Sequence, residues 1–161
     1  MIQIFTTGGT IDGLDYIGDT SAIISNQSII PVLLTRANLS IEYSVETIYN
    51  KDSRNITEED LEFLHKKIKF SSSAEIVVTH GTVTMVKTAH FLASQNIDKT
   101  IVLVGSFVLG SDGESDAEFN LGFAIGILST LKKGVYIAMN GKVFSHKSVF
   151  KNIEKNRFEL L

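Results

Sequence analysis

The 161-residue chain carries 18 acidic and 15 basic side chains, a formal charge of -3, and no Lys/Arg-dense run, which argues against a nucleic-acid footprint. It has no cysteine, so disulfide frameworks, thiol nucleophiles and cysteine-bound metals are excluded. A chain 43% hydrophobic and 20% charged has the composition of a globular protein. Its length fits one domain, expected over residues 1–161. The longest apolar stretch, residues 121–131, is too short to cross a bilayer, and no basic-then-apolar leader opens the chain. A cytoplasmic setting without membrane partners is expected.

Residues 2–5 form a short apolar run ending in Thr and Gly, which reads as a buried strand. Gly8-Gly9 follows, a pair that allows a sharp turn and close approach to the main chain. Thr7 and Thr10 then stand either on a ligand loop or on a plain strand-exit turn. Residues 12–27 hold Asp12-Gly13, Asp15 and Gly18-Asp19 with Tyr16 among them, the chemistry of a loop or hairpin.

Residues 28–37, with Pro31 early, predict a helix, and the alternation in residues 41–48 predicts a strand. After a polar loop over residues 50–55, Thr57 caps a helix with acids in its first turn. Leu61, Leu64 and Ile68 line one face of that helix. Residues 75–79 are a strand running into His80-Gly81-Thr82, and residues 84–94 a helix with Met85, Ala89, Leu92 and Ala93 inward. Residues 100–104 are another buried strand. The long loop after it leads to residues 119–131, apolar nearly all round and expected to pack on more than one side, with Lys132-Lys133-Gly134 as its C-cap. Residues 135–139 are a strand joined to residues 142–144 through an Asn140-Gly141 hairpin turn. The polar tail, residues 145–161, carries no assigned element. This alternation predicts an α/β fold, a mostly parallel twisted sheet with helices on both faces in a Rossmann-like three-layer arrangement.

The chain lacks a P-loop, a G-x-G-x-x-G fingerprint, a G-x-S-x-G elbow and zinc-type histidine spacing. Asp112, Glu114 and Asp116 alternate in a loop that could hold a hard cation. The rest of an EF-hand is missing, and a solvated loop leading to a helix N-terminus is the preferred reading. What remains is a convergence of hydroxyls: Gly9-Thr10 and Gly81-Thr82 at strand ends, and Ser53 on a third loop. A hydroxyl needs a base to attack a carbonyl, lysine can serve when desolvated, and glycine-loop amides can stabilise an oxyanion. The pattern outlines acyl transfer by a threonine nucleophile.

The segments Thr7-Gly8-Gly9-Thr10-Ile11 and Thr79-His80-Gly81-Thr82-Val83-Thr84-Met85 resemble the two signature segments of bacterial-type L-asparaginases and glutaminase-asparaginases. Asp52-Ser53-Arg54-Asn55-Ile56-Thr57 is similar to the substrate-binding segment between them. Val104-Gly105-Ser106, Phe119-Asn120-Leu121 and residues 135–141 are further landmarks. The resemblance covers nearly the whole chain and corresponds to the family's amino-terminal domain, as in short forms. It implies hydrolysis of L-asparagine to L-aspartate and ammonia, with no metal or organic cofactor. Thr10 would be the nucleophile, activated with help from Tyr16, and Thr82 the second catalytic threonine against a buried lysine, Lys151. Ser53 would bind the substrate α-carboxylate, with Gly9, Arg54, Gly81 and Val83 also lining the substrate. Lys147 and Lys155 are neighbours of Lys151 that compete for its role.

One departure stands out. The family has aspartate where this chain has Val83, and that carboxylate would hold the substrate's α-ammonium and pair with the lysine. Its loss would remove a charge-assisted contact worth about 1.5–3 kcal/mol. Impaired or altered activity is therefore expected. The alternative is a catalytically inactive amino-acid- or carboxylate-binding homologue, and a third reading is a cation-binding domain using the acidic loop. The resemblance also implies a homo-oligomer, a dimer or tetramer.

Overall fold

A computed structural model describes residues 1–14 and 27–161. Six strands, β1 (Ile2–Thr6), β2 (Tyr43–Thr47), β3 (Glu75–Thr79), β4 (Thr100–Val104), β5 (Gly134–Met139) and β6 (Lys142–Ser145), form one sheet in the order β2-β1-β3-β4-β5-β6. The first five are parallel and β6 is antiparallel to β5. Among the described residues four α-helices connect them: α1 (Ile30–Ala37), α2 (Glu58–Phe70), α3 (Met85–Ser94) and α4 (Ala117–Ile127). The alternation of strand and helix forces this outcome, because parallel neighbours need a crossover and the crossovers cover both faces.

Side chains alternate between the two faces with period two. Phe5, Ile76, Val78, Ile101, Leu103 and Ile137 pack against α2 and α3 through Leu64, Ile68, Met85, Ala89 and Leu92. Ile2, Ile4, Val77, Val102, Val104 and Ala138 pack against α1 and α4 through Ile30, Leu33, Leu34, Leu121 and Ala124. β1 lies inside the sheet, with β2 on one side and β3 on the other. The chain thus reverses its winding direction after β2, and the crevice where ligands sit in such sheets opens beyond the carboxyl ends of β1 and β3.

Local chemistry sets the element boundaries. Thr57 closes a capping box with Asp60, whose carboxylate also receives Lys51 Nζ at 2.7 Å. Asn140 and Gly141 adopt φ of 50° and 77°, the pair of positive values that a type I′ hairpin demands, so Met139 faces Lys142.

Three expectations are corrected. The fourth helix starts at Ala117 and ends at Ile127, followed by a 3-10 turn, Leu128–Thr130. It buries one face only, through Ala117, Asn120, Leu121, Ala124 and Ile125, while Phe119 is 61% exposed. Gly122 and Gly126 fall on the outer side, where nothing lies within 4 Å of a Cβ built on them. Over residues 119–127 the sequence pattern lacks polar residues on the outer side because glycines and the exposed Phe119 stand there. Gly134 opens β5 rather than capping the helix.

The tail is structured. β7 (Val149–Asn152) and β8 (Arg157–Leu160) form a second, two-stranded antiparallel sheet, and Val149 and Phe158 are buried in the main core. Of the four apolar residues in these strands, Val149, Phe150, Phe158 and Leu160, only Val149 and Phe158 are buried, so apolar character does not single out the inward face. Phe158→Ala is expected to lower unfolding free energy by about 3–5 kcal/mol in urea titrations. A loss under about 1 kcal/mol would mean that the tail hairpin does not share the core.

Candidate active site

The loops after β1, β2 and β3 meet at the carboxyl edge of the sheet, and glycine is what allows them to touch. Gly8 and Gly9 have φ of 95° and 85°. A Cβ on Gly9 would stand 2.5 Å from the Gly81 backbone nitrogen, so the first glycine loop lies directly on the His80–Gly81 peptide. A Cβ on Gly8 would stand 2.5 Å from the Lys51 nitrogen, which presses the loop after β2 against the same turn. Gly81 in turn is covered by the Ser53 side chain, whose Oγ would be 2.8 Å from a Cβ there. Three backbone segments separated by tens of residues are thereby held in van der Waals contact.

Hydrogen bonds fix the register of the loops. Thr7 Oγ1 donates to Thr79 O at 2.6 Å. Lys51 N donates to Thr7 O at 3.2 Å, and Gly13 N and Gly110 N donate to Thr10 O at 3.1 and 2.9 Å. Thr84 Oγ1 donates to Ser53 O at 2.8 Å, and Ser53 Oγ accepts weakly from Thr84 N at 3.4 Å. Thr84 thus joins the start of α3 to the Ser53 turn instead of capping its own helix.

Thr10 is half-buried at the head of a short 3-10 turn, Thr10–Asp12. Thr82, also half-buried, accepts a hydrogen bond from Lys151 Nζ at 2.8 Å. Lys151 reaches it from β7, and its ammonium lies 5.4 Å from the centroid of the Phe107 ring. Phe107 packs on Phe158 with ring centroids 6.1 Å apart, so the tail hairpin and the loop after β4 together aim the lysine. Burial lowers the proton affinity of Lys151 below that of a free lysine. Among the described residues Lys151 forms no ion pair. Lys155 instead meets Glu159 at 3.4 Å, out in solvent.

Val83, next to Thr82, is 57% exposed. Arg54 is turned to Asp52, with Nε and Nη2 at 2.9 and 2.5 Å from Oδ2, while Asp52 Oδ1 caps Arg54 N. These bonds hold the Asp52 carboxyl below its usual range despite its desolvation. Ser53 is nearly fully buried beneath this pair. Tyr16 lies outside the described residues. Glycines 9 and 81, Ser53, Thr82 and Lys151 are thus brought into one contiguous cluster, with Thr10 on the same turn as Gly9.

In the acidic loop Asp112 and Glu114 are exposed, as a solvated loop should be, and Asp116 alone is engaged with the fold. Asp116 Oδ1 accepts from the Phe107 and Val108 amides at 2.9 and 3.0 Å, and its Oδ2 accepts from Asn120 Nδ2 at 2.8 Å. Among the described residues no group of three His, Asp or Glu side chains could hold a metal ion.

Sequence reasoning missed two buried polar residues at this edge. Asp12 is fully buried and receives Gly8 N, Thr79 Oγ1 and Ser28 Oγ at 2.7, 2.9 and 2.6 Å. Its Asp-Gly neighbourhood signals only a turn, so nothing local marks it as interior. His80 is fully buried as well: Nδ1 meets Gly81 O at 2.7 Å and Nε2 meets Thr88 Oγ1 at 2.9 Å. A carbonyl can only accept, so Nδ1 carries the proton and Nε2 accepts from Thr88, which fixes the neutral tautomer. That arrangement orients the Gly81 carbonyl and with it the turn leading to Thr82.

Burial pushes the His80 pKa down to about 4. The unfolded chain takes up this proton below about 6.5 and the folded chain does not, so stability is lost as pH falls from about 6.5 to about 4. His80→Gln is therefore expected to be less stable than the parent at pH 7, with the gap narrowing by about 2 kcal/mol at pH 4.5 in urea titrations. A gap that does not change with pH would contradict a neutral, buried His80.

The chain is similar to known proteins over nearly all its length. The chain matches the family of asparaginase amino-terminal domains over residues 1–158. It is 32% identical to a glutaminase-asparaginase of Acinetobacter glutaminasificans, over 94% of this chain and 50% of that protein. It is 31% identical to L-asparaginase 2 of Bacillus subtilis, over 93% of this chain and 43% of that protein. The crystal structure of a probable cytoplasmic L-asparaginase from Campylobacter jejuni superposes with a TM-score of 0.81 at 34% identity, covering 99% of this chain and 52% of that one. The chain spans about half the length of these relatives. With the signature loops in place and a family match over nearly its full extent, the chain belongs to the asparaginase family, in the region of its amino-terminal domain.

Proposed function

We propose that this chain is a single asparaginase amino-terminal-type domain acting as an amidohydrolase, which hydrolyses L-asparagine to L-aspartate and ammonia through an acyl-enzyme on Thr10. The observation that carries the reading is the 2.8 Å contact of Lys151 Nζ with Thr82 Oγ1, made on a loop pressed against the Thr10 turn. A half-buried amine with lowered proton affinity, next to a hydroxyl and with no carboxylate partner among the described residues, is equipped to take a proton from that hydroxyl.

In this reading Thr10 Oγ1 attacks the side-chain amide carbon, the glycine-loop amides stabilise the oxyanion, and ammonia leaves with the proton relayed to it. Tyr16 assists Thr10. Thr82, deprotonated toward Lys151, positions or activates the water that releases aspartate. Ser53, Arg54, Gly9 and Gly81 border the substrate. No cofactor enters the scheme. The two relatives described as asparaginases support the substrate class. The cytoplasmic placement follows the Campylobacter neighbour. We also propose assembly as a homo-oligomer; the exposed Phe119, stacked on Phe123 at 6.4 Å, offers apolar surface for it.

Val83 favours a second reading, a binding homologue that holds a carboxylate ligand without turnover. Valine cannot hold an α-ammonium, and it leaves Lys151 without the neighbouring acid that the resemblance leads one to expect. The discriminating experiment is ammonia release from L-asparagine and L-glutamine by the parent, Val83→Asp and Val83→Asp/Thr10→Val. Slow turnover is expected in the parent, a rise of about 10- to 100-fold in Val83→Asp, and loss of at least about 10³-fold in the double variant. Saturable aspartate binding with no ammonia from either of the first two forms would establish the binding homologue instead.

A further inference from the structure

Asp12 is a fully buried carboxylate that the proposed chemistry does not use. Its Oδ2 accepts from Gly8 N at 2.7 Å and Thr79 Oγ1 at 2.9 Å, and its Oδ1 accepts from Ser28 Oγ at 2.6 Å. Its own N–H donates to Gly9 O at 3.1 Å, and its carbonyl accepts from Ile29 N at 3.3 Å. One side chain therefore joins three places: the glycine turn before Thr10, the last residue of β3 three positions before Thr82, and the chain entering α1. Ser28 Oγ also accepts from Ile30 N at 3.2 Å, which ties the carboxylate to the start of that helix.

A carboxylate is an unfavourable filler for such a place. Burial pushes its pKa up to about 6, and the three donors only partly offset this. A neutral or apolar residue of similar size would serve the core better, since a buried charge is tolerated only for its hydrogen bonds. What the ionised acid alone supplies is acceptor capacity on both oxygens, matched to three donors from three segments. An amide offers one acceptor oxygen, so its N–H₂ must face Ser28 and force that hydroxyl from donor to second-time acceptor beside Ile30 N, which loses the charge-assisted bonds and weakens the latch.

We propose that Asp12 is the positioning residue of the Thr10 loop: its carboxylate latches Gly8, Thr79 and Ser28 together and so fixes where the Thr10 hydroxyl stands relative to Thr82. The kinetic half of this inference rests on the amidohydrolase reading; the latch itself does not.

The test is Asp12→Asn, made in the parent and in Val83→Asp, read by steady-state kinetics and by residue-resolved amide hydrogen exchange. The expected result is a fall in kcat of about 10- to 100-fold with KM within about threefold. Exchange at Gly8 to Thr10 should rise at least about tenfold while the β4 amides stay protected. Unchanged kcat overturns the proposal, and so does exchange that rises equally in β4, which would make Asp12 a general stabilising residue. If no form releases ammonia, the amidohydrolase reading falls and exchange alone decides: a rise confined to residues 8–10 upholds the latch, and no rise or a uniform one overturns it. Should Asp12→Asn fail to fold, Ser28→Ala keeps the acid and removes one donor. It is expected to give a smaller change of the same kind, and no change at residues 8–10 would overturn the proposal.

Discussion

The packing of Gly9 backbone on the His80–Gly81 peptide is the contact on which the rest of the site depends. Parallel strands lie nearly 5 Å apart, so loops leaving neighbouring strands normally keep a side chain between them. With no Cβ on Gly9 or Gly81, the two turns close on each other, and Ser53 from a third loop closes over Gly81. Thr10 and Thr82, the hydroxyl-bearing residues that follow these glycines, each stand one residue from that contact. The sheet order places this event at the reversal of winding, at the carboxyl ends of β1 and β3.

Around this contact the buried polar groups divide by charge. His80 is kept neutral by burial and by its two partners, and it sets the Gly81 carbonyl. Asp12 holds the opposite turn through three donors. Asp52 is satisfied by Arg54. Lys151 is the exception: it lies on an aromatic face and a threonine hydroxyl, with no carboxylate among the described residues to balance it. In the proposed chemistry that imbalance has two opposing effects. It eases deprotonation of the lysine, and it leaves a substrate ammonium without the acid that would have occupied the position of Val83. In that proposed chemistry a valine in place of an acid would favour the base and disfavour the amino-acid substrate.

Much of the fold was legible because its elements carry complete local signals. Strands such as Ile76, Val77 and Val78 are continuous apolar runs, α2 begins with a capping threonine and three acids, and Asn140-Gly141 dictates its own turn. The tail hairpin was not legible, since its strands are four residues each in a polar tail and the burial of Val149 and Phe158 depends on Phe144 and the rest of the core. The glycine-threonine loops announced themselves by motif, and Lys151 was named only through the family resemblance those motifs carry. Asp12 and His80 did not, because their burial is a property of loops meeting in three dimensions and not of any neighbour in sequence. Phe107, which aims Lys151, was hidden for the same reason.

The central claim is that the apposed loops make Thr10 the attacking hydroxyl. It is tested most directly by acid-quenching the parent and Val83→Asp during incubation with L-asparagine and mapping adducts by peptide mass spectrometry. The account predicts an aspartyl ester on the peptide carrying Thr10 and none on the peptide carrying Thr82. An ester on Thr82 in place of Thr10 would contradict it.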